Sequence, residues 1–271
     1  MNYKYIIGSG CSFTESKKSW LNSFNIETKY NLSKGGCGNK HIQDSIIKQV
    51  YHLLEQGVSV DEILVGVQFT GTARLDFIAS EETQTINNRW WDDFWCSSMI
   101  DENSAWIHSG GGNSFVKNLE IKNFSDEYFL RYYKYFMTYV ENWYNFLLRV
   151  VTIQSFLKSN NIRYFFHTGW NLIDSALDND TFVSNFVKFK QFNYLWNQID
   201  HDKFIFYESS CKNITKNTAK NNSKYGGMWQ YMIERDGISD SEFGGNDHPN
   251  EHGQKIWGEY LKETALSRNI I

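Results

Sequence analysis

Lys4-Tyr5-Ile6-Ile7-Gly8-Ser9-Gly10-Cys11-Ser12-Phe13-Thr14 runs from apolar, strand-forming residues into glycine-rich sequence and then into a serine. Lys4 to Ile7 predicts a short first strand that ends at Gly8-Ser9-Gly10, where the glycines let the backbone turn sharply. Near the other terminus, Asp247-His248-Pro249-Asn250 precedes an amphipathic stretch. A serine hydroxyl is a weak nucleophile at neutral pH and needs a base beside it. A serine on an early turn and a histidine on a late one therefore predict a hydrolytic site that forms when the two ends meet.

Outward from that first turn, strands and helices alternate. Trp20, Leu21 and Phe24 fit a short helix, and Thr28 to Leu32 a second strand. Ile42, Ile46, Ile47, Val50, Leu53 and Leu54 recur at helical spacing and stop at Gly57, a C-terminal signal. Ile63 to Thr70 is a short apolar run closed by Gly71, and Arg163 to Thr168 and Lys203 to Glu208 repeat the pattern. Asp180 to Ile199 carries Phe182, Phe186, Phe189, Phe192 and Trp196 at spacings of three and four, which predicts a helix. Asn250 to Leu266 predicts the last one, with Ile256, Trp257, Tyr260 and Leu261 on one side. Strands alternating with helices imply an α/β fold with a mostly parallel sheet covered on both faces, a three-layer α/β/α sandwich. Sites in such folds lie beyond the carboxyl ends of the strands.

Two segments exceed the needs of that sheet within a chain of 271 residues read as one domain. Residues 81–124, with Trp90, Trp91, Trp95, Trp106 and the run Ser109 to Asn113, read as an inserted, irregular loop region that can act as a lid. Phe129, Tyr133, Phe136, Val140, Trp143, Leu147 and Val150 then predict a single long helix entered through Ser125-Asp126-Glu127. Its excess length is expected to pack on the inserted region or on a second copy of the chain, as a homo-oligomer.

Composition excludes several classes. A net charge of −4 without a basic block argues against a nucleic-acid surface. No apolar run approaches the ~18 residues of a membrane span, and no signal peptide precedes the first strand, which predicts a protein that is soluble where it is made and cytoplasmic at synthesis. Cysteines at 11, 37, 96 and 211 lack the paired spacing of a zinc site and are too sparse for a disulfide framework, so reduced thiols are expected. Hydrolysis by a serine and a histidine requires no metal and no cofactor, and none is expected.

Gly10-Cys11-Ser12-Phe13-Thr14, followed by Trp20, resembles the first block of the SGNH (GDSL-like) hydrolases, with Cys11 where the common form has Asp. Asn31 to Gly36 with Gly38-Asn39 resembles the second block, and Asp247-His248-Pro249-Asn250 with Gly253 the last. Where the family has Gly-x-Asn-Asp, this chain has Val67-Gln68-Phe69-Thr70-Gly71-Thr72, followed by Arg74. The resemblance covers both ends of the chain and little of its middle. It implies ester hydrolysis, with Ser12 as nucleophile, His248 as base and a carboxylate to orient the imidazole.

The family spacing for that acid falls on Gly245. Asp247 is the nominal choice, Asp240 and Asp236 are substitutes, and a Ser-His dyad is the fallback. The N–H groups of Ser12 and Gly36 would face the oxyanion, with Gln68, Thr70 or Asn39 as third donor. Arg74, His167 and Trp170 are candidate substrate contacts, and Cys11 is the competing nucleophile, read as a small buried thiol. The expected substrate is a short acyl ester, such as O-acetyl on a carbohydrate. A glycan-binding or virion-associated module that has lost turnover, or an O-acyltransferase using the same site, are the alternatives. The single proline and the Asn-, Lys- and Ile-rich wording are similar to proteins of AT-rich phage or viral genomes.

Overall fold

A computed structural model describes residues 3–80, 95–101, 104–108, 131, 135, 138–177, 181–184, 188–209, 223–236 and 248–271. The centre is a parallel sheet of four strands in the order β2-β1-β3-β7, made of β1 (Tyr5–Ser9), β2 (Thr28–Asn31), β3 (Ile63–Phe69) and β7 (Arg163–Thr168). Each of these strands falls within two residues of its expected bounds. β3 is buried at every position, Gln68 included, as a mostly apolar strand between two covered faces must be.

Alternate residues separate the two faces. On one, Ser9 hydrogen-bonds Ser45 of α1 (Asn39–Glu55), and Phe69 meets Phe146 of α2 (Tyr139–Ser159). On the other, Phe165 and His167 meet Trp20 of a 3₁₀ turn, Trp20–Ser23, against which α5 (Glu251–Ser267) packs. The fold is thus α/β with helices on both faces of a parallel sheet, compatible with a three-layer sandwich. Gly66 makes the second face possible, because a Cβ there would come within 2.6 Å of both the Trp20 and Phe165 rings. No helix among the described residues is long and apolar enough to cross a membrane.

Four expectations change. Within 81–124, the segments β5 (Trp95–Asp101) and β6 (Ser104–His108) are strands that form an antiparallel sheet with β4 (Asp76–Ser80), so this stretch is not irregular throughout. Trp90, Trp91 and Ser109 to Asn113 lie outside the described residues. The single long helix that the heptad predicts is interrupted: Thr138 is extended, its hydroxyl accepts the Glu141 N–H at 3.1 Å, and α2 starts after it and continues to Ser159, beyond the heptad's end. Arg131 and Tyr135 are also helical, whereas 125–127 lie outside the described residues.

Within Asp180 to Ile199, Thr181–Ser184 is a strand, β9, that pairs antiparallel with β8 (Asp174–Leu177). Among the described residues there, helix is confined to Lys188, Lys190–Phe192 (3₁₀) and α3 (Asn193–Trp196). A Thr-Phe-Val-Ser run satisfies a hairpin partner better than a helix, and spacing alone does not reveal the partner. Lys203 to Glu208 does not form a full parallel strand. Phe204 makes one parallel bridge to Phe166, and the chain then turns so that β10 (Tyr207–Ser209) pairs antiparallel with β11 (Ser223–Gly226).

Candidate active site

Neighbouring strands β1 and β3 lead their connections away in opposite directions, β1 toward β2 and β3 toward β7, which leaves a crevice at their carboxyl ends. Ser12 stands three residues beyond β1, at this switch point. His248 arrives from the other side, two residues before Asn250, whose side chain caps α5 by accepting the Gly253 N–H at 2.9 Å. Ser12 Oγ and His248 Nε2 are 2.7 Å apart, a hydrogen bond between residues 236 positions distant in sequence. With Nε2 as acceptor, the hydroxyl donates and the imidazole is placed to take its proton. Phe13 holds the imidazole from the side, ring centres 5.4 Å apart and nearly perpendicular.

The loop carrying Gly36 is drawn toward Ser12. Lys34 N–H and the Cys37 thiol both donate to the Gly10 carbonyl, at 3.2 Å each. Gly36 has φ of 74°, a left-handed conformation that a side chain would strain. The N–H groups of Ser12 and Gly36 donate to no other group among the described residues, so both remain available to a developing oxyanion.

The third-donor candidates separate clearly. Asn39 is committed: its Oδ1 accepts the Thr70 N–H and its Nδ2 donates to the Thr70 carbonyl, both at 3.0 Å. Gln68 is fully buried, with its amide between the sulfur atoms of Cys11 and Met228, 3.7 Å from each. The Thr70 hydroxyl is buried and has no partner among the described residues. Cys11 faces inward and is fully buried, as a structural thiol.

His167 corrects an expectation. It is fully buried on the Trp20 face, where its Nδ1 accepts the Trp257 indole N–H at 3.3 Å, and so it reaches no substrate. Its place at the end of β7 suggested the crevice, but strand alternation turns it into the core. Burial in this aromatic cage lowers its pKa to about 3. The unfolded chain takes up this proton below about pH 6.5, whereas the folded chain resists it until about pH 3. Stability linked to His167 is therefore complete above pH 6.5 and is lost as pH falls through that window. The expected result is a melting temperature that declines from pH 6.5 to pH 4 in wild type and declines less steeply in His167→Gln. Equal slopes would assign the acid sensitivity to other groups.

Trp170 and Arg74 do come to the crevice. Trp170 meets Phe13 edge to face at 5.2 Å, and the Arg74 guanidinium lies 5.3 Å from the Trp170 ring centre. Asp247 and Asp240 lie outside the described residues, and so does the side chain of Asp236, which ends α4 (Met228–Asp236). No group of His, Cys, Asp and Glu able to hold a metal occurs among the described residues.

Three residues matter here that the sequence reading did not single out. Trp229, on the first turn of α4, stacks on Phe13 at 6.1 Å. Asp76 binds the Gly38 and His41 N–H groups at 2.6 and 2.8 Å, anchoring the start of α1 next to the Gly36 loop. Gln254 on α5, 1% exposed, donates to the Phe13 carbonyl and accepts the Trp20 N–H at 3.0 Å. A polar residue on the buried stripe with Trp257, Gly258, Leu261 and Ala265 was the available signal for Gln254.

No known protein family matches the chain, and no curated protein matches it.

Proposed function

We propose that the chain is a serine esterase of SGNH-like architecture that cleaves short acyl esters, with O-acetylated carbohydrate as the preferred substrate class. The observation that carries this reading is the 2.7 Å hydrogen bond between Ser12 and His248 at the carboxyl end of a parallel sheet. In the proposed reaction Ser12 Oγ attacks the ester carbonyl while His248 Nε2 takes its proton. The carbonyl oxygen gains charge facing the Ser12 and Gly36 N–H groups. The protonated imidazole then returns the proton to the leaving alcohol, and water releases the acyl group by the same steps in reverse order.

The engagement of Asn39 with Thr70 and the burial of Gln68 favour a second reading, in which the fold binds an acylated ligand and turns it over slowly or not at all. Acyl transfer to a sugar hydroxyl instead of water uses the same acyl-enzyme. A fluorophosphonate probe tests the main reading, since it reacts only with an activated hydroxyl. Covalent labelling of wild type that disappears in Ser12→Ala is the expected result, read by intact-protein mass spectrometry. An unlabelled wild type supports the binding module instead.

A further inference from the structure

Arg74 stands on the wall of this site without a counter-ion among the described residues. It closes the turn after β3, its N–H donating to the Gly71 carbonyl at 3.2 Å. Its guanidinium lies over Trp170 at 5.3 Å, and Nη1 reaches the carbonyl of Cys37, next to Gly36, at 3.4 Å. The carboxylate nearest in sequence, Asp76, is turned onto the start of α1 by its bonds to Gly38 and His41. No carboxylate pairs with Arg74 among the described residues.

A guanidinium remains charged at any working pH and offers five N–H donors in a planar fork. Here one ring face restrains its plane and one long hydrogen bond uses a single donor, so most of the fork is unspent. An oriented, uncompensated cation in a crevice raises the local concentration of anions and pairs with carboxylate or phosphate through two parallel bonds. Trp170 in turn contacts Phe13, which contacts His248, so this cation and the reacting serine share one continuous aromatic wall.

We propose that Arg74 is the anion-binding element of the site, and that the ester acted upon carries a carboxylate or phosphate on its alcohol portion. This rests on the esterase reading but is tested separately from it. Three O-acetylated probes are compared: methyl galactoside, the corresponding methyl galacturonide, and galactose 6-phosphate. The readout is kcat/KM for wild type, Arg74→Gln and Arg74→Lys. In wild type at least one acidic ester is expected to exceed the neutral one by about tenfold or more, less so at high salt. That ratio is expected to fall by roughly 10- to 100-fold in Arg74→Gln, the worth of a hydrogen-bonded charge pair. Arg74→Lys should retain part of it, because the charge stays and the fork is lost.

The acid whose ratio collapses identifies the group recognised. Wild-type ratios near one for both acidic esters, or ratios that survive Arg74→Gln, would overturn the proposal while leaving Ser12-dependent turnover in place. If no ester is turned over, calorimetric binding of galacturonate and galactose 6-phosphate decides the matter. Binding weakened in Arg74→Gln supports the anion site without catalysis, and absence of binding in wild type rejects it.

Discussion

Ser12→Ala and His248→Ala are each expected to lower turnover of a chromogenic acetyl ester by at least about 10³-fold, with melting temperatures within a few degrees of wild type. The size follows from the roles. In the proposed reaction Ser12 supplies the atom that bonds to the acyl carbon, and His248 is the base that makes that atom nucleophilic at neutral pH. Both side chains are only partly buried, and neither fills core volume, so their removal leaves packing largely intact. The double variant should lose little beyond either single one, because a nucleophile without its base and a base without its nucleophile are equally ineffective. Cys11→Ala should retain turnover, since that thiol is fully buried against Gln68. Initial rates on the purified chain check all four variants. Wild-type turnover in either single variant would remove that residue from the chemistry, and loss of turnover in Cys11→Ala would reopen the competing nucleophile.

The parts of the fold that were readable in advance are those whose signal is local. β1, β3 and β7 are short apolar runs bounded by glycine or polar residues, and α1 carries six apolar residues at helical spacing. Ser12 and His248 were legible for a related reason: one follows a strand through glycines, the other precedes a capped helix, and an α/β sheet brings such ends to one edge. What was not legible depends on pairing partners that a segment's own residue pattern does not reveal. Thr181–Ser184 became a strand because Asp174–Leu177 pairs with it, and Phe204 was left with one bridge because Tyr207–Ser209 pairs with Ser223–Gly226. His167 shows the same limit at the level of a side chain. Its strand was correctly placed, but which face it takes is set by Trp20 and Trp257, 147 and 90 positions away.

Gln254 is where the distant ends of the chain are physically joined. Its amide spans the Phe13 carbonyl and the Trp20 N–H, fixing the turn that carries Ser12 to the same helix whose start positions His248. The helix approaches closely: a Cβ at Gly258 would overlap the Trp20 carbonyl and the Ser23 hydroxyl. Gln254→Leu keeps the volume and suits the apolar stripe, yet it leaves a buried carbonyl and a buried N–H without partners, each costing about 1–3 kcal/mol. A melting temperature several degrees lower is therefore expected. If Gln254 also positions Ser12, kcat should fall by roughly 10²-fold with KM little changed, since a displacement of about 1 Å is enough for that loss. Gln254→Glu separates positioning from bulk stability. A buried carboxylate facing the Phe13 carbonyl is disfavoured when ionised and acceptable when protonated, so its folded-state pKa lies above the ordinary value of about 4.3. Stability in that variant is then fully present below about pH 4.3 and is lost as pH rises. Fluorophosphonate labelling of Ser12 in Gln254→Glu should accordingly approach the wild-type rate at pH 5 and fall well below it at pH 8. A labelling rate equal to wild type at both values, in a variant that melts lower, would leave Gln254 as a brace for the helix and nothing more.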